Sequence, residues 1–214
     1  MLAVLGALLA TGRVGAQVPS DYYHALATGT GGLEAVAQLH VRPGQEHFQG
    51  RRYELAFNEA RFILKLFPNH PQGLVLLARI CEQWRSSRCG VEEAFQTAIA
   101  VNPKASGTYT TQGIYLHRKQ RYADAIESFK QALELDPNSL NANYSIGLAY
   151  LETKQYALAN QHAQRAYALG APFPALRTKL QQAGYWKPIP APEAQSAGPS
   201  PPQPADPADE AAKK

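Results

Sequence analysis

Two tandem segments between Ser106 and Ala171 constrain this chain more than any other feature of its 214 residues. Set one beneath the other at a spacing of 34, they pair Gly113 with Gly147, Leu116 with Tyr150, Tyr122 with Tyr156 and Ala125 with Ala159. Phe129 then falls on Ala163, Ala132 on Ala166, and Tyr109 on Asn143. A period of 20 to 50 residues marks a solenoid. Each copy holds two apolar-periodic stretches of helix length with a break between them. Gly113 and Gly147 lie in the first stretch, Ala125 and Ala159 in the second, so small residues let two antiparallel helices approach closely. Tyr109, Leu116, Phe129 and Leu133 fill the remaining space. Pro137 stops one helix, and Asn138-Ser139 supplies the N-cap of the next.

The pattern of an aromatic, a Leu-Gly type pair, a Tyr and then Ala, Phe, Ala and Pro resembles the tetratricopeptide repeat. The second copy lacks the opening aromatic and the closing Pro. The resemblance implies an all-α fold, a short right-handed solenoid of antiparallel helix pairs. Shifting back from Pro137 reaches Pro103, with Phe95 and Ala98 on the Phe and Ala offsets. In that frame Ala78 takes the Leu offset, Arg79 replaces the Gly and Val91 the Ala, which predicts a splayed hairpin. A shift of 35 more reaches Pro68, with Tyr53, Ala56 and Ala60 on second-helix offsets. Pro43 and Gly44 sit where the first helix of that copy should have its middle. The reading there is a short helix over about Pro43 to Phe48 and a full one over Arg52 to Phe67. The expected divisions are a degenerate repeat over 43–71 and three repeats over 72–105, 106–139 and 140–171. A capping helix over 172–187 follows, with Leu176, Leu180 and Ala183 as its apolar stripe, because a terminal repeat needs a polar outer face.

Residues 1–16 stand apart. Met1 to Ala10 is apolar, and Val14 and Ala16 are small residues placed as before a signal-peptidase cut at Gln17. A basic start is missing from this run. Export to the periplasm or medium is the expectation, with a cytoplasmic location the alternative. The run is too short to span a bilayer, which takes about 20 residues. Residues 17–42 read as a connector, with a helical turn over Asp21–Ala27, a glycine cluster over 28–32 and a short helix over Leu33–Leu39. Residues 188–214 hold eight prolines and Ile189 as the sole β-branched residue. Such a composition predicts a disordered tail.

Cys81 and Cys89 are the only cysteines. They lie level across a hairpin in the repeat frame but each points away from its partner helix, so a disulfide needs an irregular turn at Arg85-Ser86-Ser87-Arg88. Two reduced cysteines are the alternative. No catalytic motif or metal-ligand spacing is present, and the six His are scattered, so the expectation is a non-enzymatic protein without cofactor or metal. Net charge is +4 and dispersed, which gives no nucleic-acid signature.

The tetratricopeptide resemblance puts the first helix of each repeat along a concave groove. It carries the groove offsets over to Leu76, Ile80, Gln83 and Trp84, to Thr110, Ile114, His117 and Arg118, and to Tyr144, Leu148, Leu151 and Glu152. The family's clamps for chaperone tails use Lys, Arg and Asn at such offsets, a set this sequence lacks. The expected role is a scaffold or assembly factor, monomeric or weakly oligomeric, that holds a peptide or helix of a protein partner. An accessory subunit or chaperone of a secretion or pilus machine is the alternative.

Overall fold

A computed structural model describes residues 20–29, 32–84, 86 and 88–187. The expected signal peptide, its cut before Gln17 and the Pro-rich tail lie outside these residues. Every regular element among the described residues is helical. In chain order they are α1 (Tyr22–Thr28), α2 (Leu33–Val36), a π-turn (Ala37–Val41), α3 (Arg42–Gln49), α4 (Tyr53–Leu66), α5 (Pro71–Trp84) and α6 (Val91–Val101). Then come α7 (Ser106–Arg118), α8 (Tyr122–Leu135), α9 (Leu140–Glu152), α10 (Tyr156–Ala168) and α11 (Ala175–Gln182). The odd-numbered helices from α3 onward form one row and the even-numbered ones from α4 the other.

Three hairpins share one construction. Arg51, Gln120 and Lys154 have φ of 56°, 60° and 59°. Each follows Gly44, Gly113 or Gly147 by seven positions. A left-handed residue reverses the chain there in a connection of three residues. The glycines are needed for close approach. A Cβ on Gly113 would lie 2.5 Å from Phe129, whose ring is fully buried, and one on Gly44 would lie 2.6 Å from Leu76. At Gly147 the limiting neighbour is Leu176 of the capping helix α11, at 2.7 Å.

Gly44 thus sits on the repeat's glycine offset, and the degenerate first repeat has a true first helix. Pro43 lacks the N–H that an α-helix would donate four residues back. The π-turn Ala37–Val41 directly before α3 accommodates the interruption, so helical backbone runs without a break from Leu33 to Gln49. The stretch expected to act as a connector therefore carries α1, α2 and a small core of its own. Ala25, Val36 and Val41 pack there with Ile63 and Phe67 of the α4 end.

The pair α5 and α6 is the exception. From the small residue of the first helix to that of the second is 12 positions in Gly44–Ala56, Gly113–Ala125 and Gly147–Ala159. Between Ala78 and Val91 it is 13. One extra residue in the connection rotates α5 by about 100° relative to the frame drawn back from Pro103. Ala78, not Arg79, occupies the glycine place opposite Phe95. The connection runs from 85 to 90, and α6 starts at Val91, without the turn that Tyr122–Asp124 gives α8. As expected, this hairpin is looser than α7 with α8 or α9 with α10, and α6 also stands off α7.

Candidate functional site

The row of first helices, α3, α5, α7, α9 and finally α11, presents the candidate binding face. On α5 the added residue changes which side chains reach it. Leu76 and Ile80 are 4% and 0% exposed and belong to the core with Phe95 and Ala98, which corrects their expected place in the groove. Trp84 also leaves the groove: its ring packs on Phe57 of α4 at 5.4 Å and lies under the Arg88 guanidinium at 4.9 Å. The α5 residues that stand beside α7 are Val75, Arg79 and Glu82, each one position from the expected set or between its members. Arg79 lies over the Phe48 ring of α3 at 4.6 Å, and Glu82 accepts from Arg118 of α7 at 2.6 Å.

On α7, Ile114 and Arg118 of the four expected residues line the open surface. Ile114 is 38% exposed and faces Val75, itself 39% exposed, across a shallow pocket that Thr111, Tyr115 and Arg118 also line. Thr110 is buried and its hydroxyl donates to the Ser106 carbonyl, so it serves the helix rather than the surface. His117 is half-buried, sits edge-on to Tyr122 at 5.2 Å, and has a buried Nε2 without a hydrogen-bond partner. Burial pushes its pKa down, against a smaller upward pull from Glu152.

On α9 the expected residues Tyr144, Leu148 and Leu151 are partly buried against the capping core. The Tyr144 ring meets Phe173 at 5.3 Å, and Lys179 of α11 donates to Glu152 at 3.1 Å. The cap therefore fills the groove at this end. Open apolar surface remains at Val75 and Ile114, bordered by Arg79, the Glu82–Arg118 pair and Tyr115.

Cys81 and Cys89 are bonded, with Cα atoms 5.7 Å apart. The α5 rotation explains it. In the 35-residue spacing Cys81 falls on the offset of Leu116, which faces the partner helix. Cys89 lies in the connection where α6 has lost its first turn. The extra residue supplies the irregular connection that the bond needs.

The second copy's missing aromatic has a local replacement. Tyr109 donates its hydroxyl to the Pro103 carbonyl at 3.1 Å. At the same offset one repeat later, Asn143 donates from Nδ2 to the Pro137 carbonyl at 3.1 Å and pairs through Oδ1 with His162.

A family model described as TPR repeat matches residues 115–154, the span from α7 through α8 to the end of α9. That span matches a tetratricopeptide repeat. Outside that span, α3 with α4 and α9 with α10 share its hairpin construction. The fold is similar to PilW, described as a type IV pilus biogenesis factor, at a TM-score of 0.54 and 23% identity over 70% of this chain and 71% of that one. It is equally similar to pilF of Pseudomonas aeruginosa, at a TM-score of 0.54 and 18% identity over 71% and 70%. In sequence, the chain is 30% identical over 78 residues to the E3 ubiquitin-protein ligase CHIP of Arabidopsis thaliana, covering 36% of this chain and 28% of that protein. It is 26% identical over 95 residues to the protein O-mannosyl-transferase TMTC3 of Mus musculus, covering 44% and 10%. The chain thus spans less than a third of these two curated relatives. No helix among the described residues is long and apolar enough to cross a membrane, and no group of three or more metal-ligating side chains occurs among them.

Proposed function

We propose that this protein is a non-enzymatic scaffold that holds a peptide or helix of a protein partner in the groove between α5 and α7. The observation that carries this reading is the pair Val75 and Ile114. Two apolar side chains stand exposed together in the row of first helices, with Arg79 and the Arg118–Glu82 pair at their border. Apolar groups exposed side by side mark interaction sites on soluble domains. A partner segment with small or branched apolar residues and a flanking carboxylate matches this lining. The paired change Val75→Glu with Ile114→Glu should weaken partner capture from envelope extract at least tenfold, while Lys130→Ala on the opposite row leaves it unchanged. Equal capture by both variants, with wild-type helicity, would place the partner elsewhere.

A second reading makes the protein an accessory factor of a pilus or secretion machine in the bacterial envelope. The expected export signal, the disulfide and the fold shared with PilW and pilF support it. Deletion in the native host should then reduce surface piliation. Normal pili in the deletion strain would leave only the scaffold reading.

A further inference from the structure

The looseness of α6 opens a second cleft, on the opposite side of the array from the groove. It lies between α4 and α6, has a volume of about 610 Å³, and has Leu77 of α5 among its lining residues. Its walls carry Arg61, Lys65 and Arg88 against the single carboxylate of Glu93, and the Phe62 ring. Beside it, the Arg61 and Arg88 guanidinium groups lie over the Phe57 ring at 5.9 and 5.4 Å, and Arg88 also covers Trp84. Arg88 pairs with Glu54 at 3.0 Å, whereas Arg61 and Lys65 have no carboxylate partner among the described residues. The cleft is therefore cationic and aromatic. An aromatic-lined groove suits a proline-rich segment, and its unpaired cations suit one that also carries carboxylates.

Such a segment is present in the same chain. Residues 199–210 read PSPPQPADPADE once Gly198 is passed, uniting a proline run with Asp206, Asp209 and Glu210. The Lys187 carbonyl accepts from Asn160 and Gln164 of α10, so the chain leaves the described fold on the row of second helices, the row that forms the cleft. From α10 past α8 and α6 is on the order of 30 Å, at helix spacings of about 8–10 Å. The 19 residues from Lys187 to Asp206 can span about 60 Å when extended. We infer that the acidic proline-rich segment of this chain docks in its own α4–α6 cleft, with Asp206, Asp209 and Glu210 against Arg61, Lys65 and Arg88. The tail then masks a cationic surface that would otherwise attract acidic partners.

The test uses a fluorescein-labelled peptide of residues 195–212 and two forms of the protein, the whole chain and one stopped after Lys187. The truncated form retains every described helix. The peptide should bind the truncated form and be held at least fivefold more weakly by the whole chain, where the attached tail competes. The exposed pair Arg61→Glu with Lys65→Glu should lower binding to the truncated form at least tenfold, and so should a rise in salt from 50 to 500 mM. A peptide with Asp206, Asp209 and Glu210 replaced by Asn, Asn and Gln should bind as weakly. No binding to the truncated form overturns the inference, as does binding that the Arg61 and Lys65 changes leave intact. Equal binding by whole and truncated chains overturns it too. A whole chain that self-associates where the truncated form does not would show the tail serving a second copy instead. None of these arms depends on Val75 or Ile114, so failure here leaves the groove reading standing.

Discussion

His70 is a titratable side chain that the fold keeps neutral. It is almost completely buried, its ring meets Tyr22 at 4.5 Å, and its Nδ1 accepts from the Gly73 N–H at 3.3 Å. Burial lowers its pKa from 6.5 to about 4, and a backbone hydrogen bond opposes this only in part. The sign of the pH effect follows from linkage. Above pH 6.5 both folded and unfolded chains hold neutral His70, and its contribution is fully present. As pH falls from 6.5 towards 4 the unfolded chain takes up a proton that the folded chain refuses, so stability is lost through that window, by up to about 3 kcal/mol. His117 and His162 are also pushed down by burial and add in the same direction. His70→Asn keeps an acceptor for Gly73 and removes the ionisation. Urea unfolding at pH 7.5 and 4.5 should show a smaller stability loss in the variant than in the wild type. Parallel pH profiles for the two proteins would assign the loss to other groups.

At the scale of helices, the α5–α6 hairpin differs from its three neighbours by one residue, and that residue decides both the disulfide and the groove. The Cys81–Cys89 bond closes the α5–α6 connection, which is longer than those of the other three hairpins, over a sequence separation of 8. In the chain-entropy account so short a loop is stabilised by about 2–3 kcal/mol. Cys81→Ser with Cys89→Ser should lower unfolding stability by that amount, and the reduced wild type should match the variant. A loss below about 0.5 kcal/mol, the range of ordinary surface changes, would mean that Phe95 and Ala98 hold α6 unaided. The same hairpin shows what the sequence could disclose. The repeat frame from α7 to α10 was legible because Gly113, Phe129 and their counterparts are steric requirements, recurring at a fixed spacing. The interval of 35 from Pro68 to Pro103 signalled one additional residue in that repeat. Its place was not legible, because Arg85-Ser86-Ser87-Arg88 has no counterpart in the repeat pattern to anchor it. The frame drawn back from Pro103 therefore fits α6 and lies one position out on α5, which puts Leu76, Ile80 and Gln83 on the groove in place of Val75, Arg79 and Glu82, and Trp84 with them. Pro43 misled for a different reason: a helix breaker was followed by a glycine on the correct offset, and a π-turn absorbed the break. The groove at α9 was legible as a row of side chains but not as a covered one, since α11's closeness depends on Gly147 accepting Leu176.

Across the whole molecule, a repeat array is held by contacts between neighbours, and its stability is close to a sum over adjacent pairs. The N-terminal segment adds a tie of longer range. Asp21 accepts from Asn69 Nδ2 at 2.6 Å in the α4–α5 connection and from Asn102 Nδ2 at 2.8 Å in the α6–α7 connection, while it caps α1 through the Tyr23 N–H. Ser20 donates to the Leu66 carbonyl, Tyr22 to Asn69 Oδ1, and Tyr23 lies so close to Gly107 that a Cβ there would come within 2.2 Å of its hydroxyl. One carboxylate thus joins two inter-repeat turns on either side of the loosest hairpin. Asp21→Ala removes both acceptors and leaves the fully buried Asn69 with an unsatisfied donor, which costs about 1–3 kcal/mol. The cost should also appear as lost cooperativity, because the loose α6 is no longer bracketed by tied neighbours. Helical circular dichroism reports all the repeats and tryptophan emission reports Trp84 and Trp186. In the wild type these two signals should trace one urea transition. In Asp21→Ala the midpoint should fall and the two transitions should separate. Coincident transitions at a lower midpoint would show a local cap rather than a tie, and an unchanged midpoint would remove Asp21 from any part in holding the array together.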